Sequence, residues 1–169
     1  MTNTRNAPVE VIESAYPFFI HQYGLVPESS GAGKFRDGFG MVRDIEIQSE
    51  QTTVTVSSDR FDTRPWGLLG GQDAKRGSAA IIHSDRSQEQ LSSKVTRRIK
   101  RGDRLVSVTP GGGGWGHPKE RSPEEVRRDV VEELRSLEAA LDVYRVVLRE
   151  DLSVDWEATR LARQKSDPV

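Results

Sequence analysis

Four consecutive glycines, Gly111–Gly114, followed by Trp115, Gly116 and His117, place the strongest constraint on how this chain folds. Glycine loses more backbone freedom on folding than any other residue, so a run this dense is costly to order. Such a run is useful where the backbone must pass close to a ligand or to another segment of chain. The run therefore indicates a close approach of the loop to a ligand or to another segment.

The loop lies between a predicted strand and a predicted helix, a position in which phosphates are often bound. However, the stretch PGGGGWGHP matches neither common nucleotide-binding glycine pattern, and Lys119 follows Pro118 rather than lying at the phosphate-binding position. Pro118 and Pro123 also lack the backbone N–H groups that would bind phosphate. Nucleotide binding is therefore the less favoured alternative. The sequence favours a loop that packs against another segment, with Trp115 as its hydrophobic anchor.

The composition indicates a single folded domain over residues 1–169. Charged residues make up 30% and hydrophobic residues 34% of the 169 residues, and the net charge is −1. That balance argues against nucleic-acid or membrane-surface binding driven by global charge. The absence of cysteine excludes disulfides, thiolate zinc sites and cysteine nucleophiles. With no signal-peptide pattern and no apolar run of roughly 20 residues, we expect a cytoplasmic chain with no nucleic-acid or membrane partner.

Alternating apolar and β-branched residues predict strands in the first part of the chain. The predicted strands are Met41–Ile47, Thr52–Ser58, Ser78–His83 and two more over 93–110 that form a hairpin turning at 100–103. Residues 8–109 are thus expected to be β-rich, with a twisted, barrel-like antiparallel sheet. Arg43 interrupts the apolar face of its strand and is expected near a sheet edge.

Helical spacing of apolar residues begins after the glycine-rich loop 110–118 and predicts short helices over 122–165. Ser122 to Glu125 has the pattern of a capping box with proline at the first helical position. Further helices are expected to begin at Ser136 and after Ser153 or Asp155, with a short RVVL strand between them and a frayed tail over 164–169. The predicted fold class is α+β, mainly β.

Candidate catalytic residues are scarce. His21, His83 and His117 are far apart in the sequence, and none has a neighbouring ligand at metal-binding spacing, so no metal site is expected. Ser29 and Ser30 lack a nucleophile-elbow pattern and are interpreted as turn residues. The basic residues around Gly102 are interpreted as a charged sheet edge, with an acidic patch on a partner chain as the alternative.

Several segments in order resemble one family: NTRNAPVEVIESAYPF, LVPESSGAGKFRDGFGMVRDIEI, RPWGLLGGQDAKRGS, SVTPGGGGWGHPKERSPEEVRRDV and DVYRVVL. Together they resemble the C-terminal region of the hydantoinase B/oxoprolinase family, which includes 5-oxoprolinase and subunits of acetone and acetophenone carboxylases. The chain departs from the family pattern in having His117 where Asp is usual, Asp37 where a second glycine is usual, and Glu133 near a position where glycine is frequent.

The resemblance implies that this chain is the small subunit of a split B-type enzyme and starts at its own methionine. The complete enzyme would be an ATP-dependent amidohydrolase of cyclic amides or an acetone- or acetophenone-type carboxylase. Its implied partners are a hydantoinase A-type subunit, which binds ATP, and a truncated B-type subunit that carries the divalent metal. The chain alone is expected to bind no cofactor and to be inactive. The alternative is a non-catalytic structural or interaction subunit. We expect exposed aromatic residues, covered by another subunit, at Tyr16, Phe18, Phe19 and Trp66.

The resemblance also defines two sets of candidate residues. Those expected in a loop at the substrate cavity or at a subunit interface are Gly111, Gly112, Gly113, Gly114, Trp115, Gly116 and His117. Those expected to form a structural motif are Gly31, Gly33, Arg36, Gly38, Arg64, Pro65, Trp66, Gly70 and Gly71.

Overall fold

A computed structural model of the chain describes residues 6–164. The strands are β1 Phe18–Leu25, β2 Met41–Ile47, β3 Gln51–Ser57, β4 Ser78–Ile82, β5 Gln88–Leu91, β6 Lys94–Lys100 and β7 Arg104–Val108. The helices are α1 Val9–Ala15, α2 Pro123–Val131, α3 Leu137–Asp142 and α4 Trp156–Gln164, with a 3-10 turn at Pro118–Glu120. No helix in this part of the chain combines the length and apolar character needed to cross a membrane.

The strands form two sheets. One has five strands in the order β1-β2-β7-β4-β5, and the other pairs β3 with β6. The pairings β2–β7, β4–β7, β4–β5 and β3–β6 are all antiparallel. The predicted α+β, mainly β class with antiparallel sheets is confirmed. Within residues 6–164 both sheets are open, and neither closes into a barrel.

The predicted hairpin at 100–103 is wrong, although both of its strands are present. β6 pairs with β3, whereas β7 pairs with β2 and β4. The turn redirects the chain from one sheet to the other: Gly102 has φ of +83° and its N–H donates to Ile47 O (2.8 Å). The buried carboxylate of Asp103 accepts from the N–H groups of Lys100 and Ser84, both at 3.0 Å.

The chain divides into two compact units, each with its own core. Among the described residues, the first comprises 6–24, Met41–Phe61 and Gly77–Thr109, and the second comprises Leu25–Gly40, Asp62–Arg76 and 110–164. The single domain over 1–169 stays a prediction. The first core contains Ile47, Ala79, Ile81, Leu91 and Ile99. The second contains Ala32, Val126, Val130, Ala140, Tyr144 and Val146.

The predicted helix starts are confirmed, with one difference. Ser136 and Asp155 accept side-chain hydrogen bonds from the N–H groups of Ala139 (3.0 Å) and Ala158 (2.9 Å). Ser122 is the N-cap of α2, but its side chain makes no capping bond, so the capping box is absent. α1 lies inside the region predicted to be β-rich.

The remaining predictions concern the end of the chain, part of which lies outside the described residues. The RVVL segment contributes only an isolated bridge between Leu148 and Val154, so the predicted strand is wrong. Of the tail predicted to fray, all but Gln164 lies outside the described residues.

Candidate functional site

Three segments of the second unit are joined by backbone hydrogen bonds into one assembly, which we call the glycine crossing: 29–38, 65–75 and 111–117. Trp115 and Phe35 exchange two bonds, at 2.9 and 3.0 Å. Gly114 donates to Gln72 O at 2.9 Å and accepts from Leu68 N at 2.9 Å. The loop that is richest in glycine therefore lies between two other backbones and bonds to both.

Close approach of these backbones explains the glycines. A Cβ atom on Gly113 would overlap the carbonyl oxygen of Trp66, and one on Gly114 would overlap the carbonyl oxygen of Ala32. A Cβ on Gly71 would overlap the carbonyl of Gly114. Because these neighbours are backbone atoms held by hydrogen bonds, they cannot move aside as a flexible side chain can.

All five glycines predicted as a structural motif lie in this crossing. A Cβ on Gly31 would lie 2.6 Å from Gly114 N, and one on Gly33 would lie 2.6 Å from Trp115 N. Gly70 has a positive φ of +91°, a conformation that L side chains rarely adopt.

Two further residues show the limits of that prediction. Gly38 has nothing within 4 Å of where a Cβ would be, so close approach does not explain it. Gly67 was missed by sequence reasoning, although a Cβ there would overlap the carbonyl of Gly71.

The segment after Arg64 is closed into a loop by two hydrogen bonds. Ala74 N donates to Pro65 O at 2.9 Å, and Gly67 N donates to the Asp73 side chain at 3.0 Å. Arg64 itself is exposed at the start of this loop. Pro65 therefore contributes its carbonyl group to the crossing.

The backbone N–H groups of the loop are largely used within the protein. Gly112, Gly114, Trp115 and Gly116 donate to carbonyl oxygens at 2.9 to 3.0 Å. A phosphate-binding loop instead directs its N–H groups at the ligand. This geometry favours the packing role of the loop over nucleotide binding.

His117 ends the crossing as a capping residue. Its Nδ1 accepts a hydrogen bond from Lys119 N at 3.2 Å and so caps the 3-10 turn that begins at Pro118. Capping requires only an acceptor two residues before the N–H, which an aspartate can also supply.

Large apolar side chains on all three segments of the crossing are exposed and form an apolar surface. It consists of five large side chains with exposed fractions of 44 to 74%, and we call it the apolar surface: Phe35, Trp66, Leu68, Leu69 and Trp115. The rings of Phe35 and Trp115 contact each other with centroids 5.6 Å apart. Trp115 does not anchor the loop by burial, because the loop is held by backbone hydrogen bonds and Trp115 is 44% exposed.

The other aromatic residues expected at the surface lie in the first unit, except Trp66. Tyr16 and Phe19 are exposed, as predicted. Phe18 is not, because it packs partly against the core around Ile81.

Arg36 belongs to a buried charge network. Its Nε lies 3.0 and 3.1 Å from the two carboxylate oxygens of Asp129, which is only 2% exposed. Arg121 donates to the same carboxylate at 3.2 Å. The hydrogen bonds to Asp129 raise the pKa of Arg36. The network connects the crossing to α2 and the turn before it, and sequence reasoning missed Asp129 and Arg121.

A second buried arginine connects the crossing to the start of α3. Arg135 donates to Glu28 (2.6 Å) and to the carbonyl (2.7 Å) and hydroxyl (2.8 Å) of Ser30. Burial would raise the pKa of Glu28, but hydrogen bonds from Ser136 N–H and Arg135 outweigh it and lower that pKa. Ser30 therefore accepts hydrogen bonds from Arg135 through both its carbonyl and its hydroxyl oxygen.

The histidines remain separate. His21 hydrogen-bonds Glu46 at 2.7 Å, and His83 lies 3.6 Å from Asp103. Across residues 6–164 no group of three or more His, Asp or Glu side chains is arranged to hold a metal ion.

The fold defines a class of protein through its structural relatives. The chain superposes on the crystal structure of the ATP-dependent caprolactamase from Pseudomonas jessenii with a TM-score of 0.76 and 28% identity, over 94% of this chain and 28% of that one. It also shares the fold of a nucleotide-free acetone carboxylase (TM-score 0.75, 22% identity, covering 93% of this chain and 26% of that chain).

Sequence comparison then gives the family. The Hydantoinase B/oxoprolinase family profile matches residues 1–118, which include the whole glycine crossing, and the chain belongs to this family. The B-type subunit of a D-/L-hydantoinase from Pseudomonas sp. strain NS671 is 36% identical over 96% of this chain and 28% of its own length. The beta subunit of the Pseudomonas jessenii caprolactamase is 31% identical over 92% and 27%. The chain thus spans little more than a quarter of these relatives.

Proposed function

We propose that this chain supplies the C-terminal part of a B-type subunit in an ATP-dependent complex that hydrolyses cyclic amides or carboxylates ketones. The rest of the B-type subunit is a separate polypeptide, and an A-type subunit completes the complex. The coverage supports the assignment to one part of a B-type subunit: the relatives that match almost the whole chain are more than three times longer, because the match covers only 28% of their length.

The apolar surface is the observation that carries the proposal. Five large apolar side chains from three segments are exposed together on a backbone that hydrogen bonds hold rigid. Large exposed apolar side chains gathered on hydrogen-bonded segments are typical of protein–protein contact. We assign it to the remaining part of the B-type subunit.

ATP and the divalent metal belong, in this proposal, to the partner subunits. The crossing directs its N–H groups inward at its own carbonyls, and the loop 111–117 offers His117 as its one titratable side chain. The isolated chain should therefore turn over neither ATP nor a cyclic amide. This assignment would be contradicted if the purified chain hydrolysed ATP and a mutation in the chain abolished that activity.

A structural role without substrate contact is the second candidate function. It is favoured by the same inward direction of the N–H groups, because a loop whose N–H groups are largely bonded within its own fold can shape a neighbouring cavity without touching the substrate. In this case the chain would be needed for assembly and would leave substrate specificity unchanged.

Co-expression tests the assembly. The tagged chain is expressed with an A-type subunit and a truncated B-type subunit, and the complex is isolated through the tag and assayed for ATP-dependent turnover of hydantoin, 5-oxoproline, caprolactam and acetone. Stoichiometric co-purification is expected. A chain that stays monomeric and stable, and that captures neither of the other two polypeptides, would refute the proposal.

Variants of the apolar surface separate the two candidate functions. Leu69→Ser should weaken capture of the truncated B-type subunit, and Leu161→Ser, an exposed leucine on α4, is the matched control. A variant complex that assembles fully but loses turnover would place the crossing beside the substrate. Loss of assembly with normal turnover in the remaining complex supports the structural role.

A further inference from the structure

An apolar cavity of about 260 Å³ lies in the first unit. Its walls come from α1, β1 and β2 and include Val9, Ile12, Phe18, Ile20 and Ile45. This volume is slightly below the range of roughly 300–1,000 Å³ typical of ligand pockets, so the cavity suits a small molecule. α1 is attached to the edge strand above it by the Glu13 carboxylate, which accepts from Ile20 N at 2.8 Å.

Three polar side chains converge on this cavity. Asn6 accepts a hydrogen bond from Arg43 at 2.6 Å and donates through its amide nitrogen to the hydroxyl of Tyr23. The guanidinium group of Arg43 also lies 5.2 Å from the centre of the Tyr23 ring. These contacts hold a cation, an amide and a phenol in fixed positions beside the apolar wall.

The charge of Arg43 is not balanced locally. Among the described residues its side chain forms no ion pair, whereas its strand neighbour Asp44 is paired with Arg104. Arg43, which the sequence predicts near a sheet edge, lies on β2, the second strand of the sheet, between the edge strand β1 and β7. A half-buried cation beside apolar surface is costly unless an anion accompanies it.

We propose that the cavity binds a small monocarboxylate with a compact aliphatic or aromatic body. The apolar body occupies the space between Ile12, Ile20 and Ile45. The carboxylate accepts hydrogen bonds from the guanidinium group of Arg43, and charged hydrogen bonds of this kind are among the strongest in proteins. The Tyr23 hydroxyl supplies a further polar contact. This site goes beyond the proposed function and does not depend on it.

Ligand-observed NMR and calorimetry on the full chain, alone and in the reconstituted complex, test the site. The probes are cyclohexanecarboxylate, benzoate and hexanoate, with cyclohexylmethanol and cyclohexylmethylamine as neutral and cationic controls. Carboxylates should bind saturably and the amine should not. Arg43→Gln should weaken carboxylate binding by about 10- to 100-fold, as expected for losing a charged hydrogen bond, and leave the alcohol unaffected.

Two further variants secure the interpretation. Arg98→Gln removes an exposed arginine of β6 and should change nothing. Ile20→Trp fills the cavity and should abolish binding of acid and alcohol alike, while circular dichroism verifies the fold. Absence of saturable carboxylate binding, or binding that Arg43→Gln does not weaken, would overturn the proposal. Binding to the chain alone but not to the complex would also overturn it, because a partner would then fill the cavity.

Discussion

The carbonyl oxygen of Trp66 lies where the side chain of residue 113 would begin, so Gly113 is fixed by a backbone neighbour. Gly113→Val should therefore force the loop away from its partner segment. Overpacking of this kind costs about 1–3 kcal/mol or more in the free energy of unfolding. Chemical denaturation followed by circular dichroism measures the loss.

Gly38→Ala is the matched control for that change. Nothing lies within 4 Å of its Cβ position, so its free energy of unfolding should stay within about 0.5 kcal/mol of the original chain or rise slightly. If Gly113→Val were equally harmless, the crossing would be flexible and its glycines would need another explanation.

Trp115→Ala separates stability from assembly. The indole is 44% exposed, and the backbone bonds of residue 115 survive the change. Its effect on unfolding should therefore fall well below the roughly 3–5 kcal/mol typical of a buried tryptophan, whereas capture of the truncated B-type subunit should weaken. Trp156→Ala, an exposed tryptophan on α4, should change neither property. A large stability loss in Trp115→Ala alone would restore the buried-anchor interpretation.

The sequence predicts local structure here better than it predicts which strands pair. Regular alternation over Met41–Ile47 predicts that strand with its observed bounds. β5 could not be recognised, because its residues QEQL are mostly polar and the strand is stabilised by pairing with β4. A hairpin around Gly102 looked natural from local contacts alone, but β6 and β7 each pair with strands distant in sequence.

In the candidate site, too, the sequence predicts local features better than it predicts contacts between distant segments. The density of glycine indicates that backbones approach closely, but not which ones approach. The approach of Gly113 to Trp66 joins positions far apart in the chain, and no local pattern encodes it. The pairing of Arg36 with Asp129 spans 93 residues, and on the sequence Asp129 looks like any charged residue of a helix.

Acid should lower the free energy of unfolding of the chain, because it protonates Glu28. The lowered pKa of Glu28 means that its ionised form stabilises the folded chain fully above its ordinary value of 4.5. This stabilisation is lost as the pH falls through the lower, folded-state pKa. Glu28→Gln should therefore be less stable than the original chain near neutral pH, and the difference should shrink in acid. Urea denaturation at a series of pH values measures it, with the exposed Glu150→Gln as control. A constant difference across the acid range would contradict the ionic role of Glu28.

Glu133 occupies a position that suits glycine. It follows the C-cap of α2 with φ of +57°, and its N–H donates to Val130 O at 3.0 Å while Leu134 N donates to Asp129 O at 2.9 Å. This pair of bonds defines the Schellman motif, in which glycine is preferred because left-handed backbone conformation costs other residues about 1–2 kcal/mol. Part of the stability gained with glycine is offset, because glycine also gives the unfolded chain greater backbone freedom.

Glu133→Gly should thus stabilise the chain by about 0.5–1 kcal/mol, measured as a higher free energy of unfolding in urea. Glu132→Gly makes the same chemical change one residue earlier, where φ is −82°, and should be neutral or destabilising. Because both variants remove one exposed carboxylate near the same helix end, their difference isolates the backbone contribution. Equal effects of the two variants would mean that charge, rather than the left-handed conformation, determines stability at this turn.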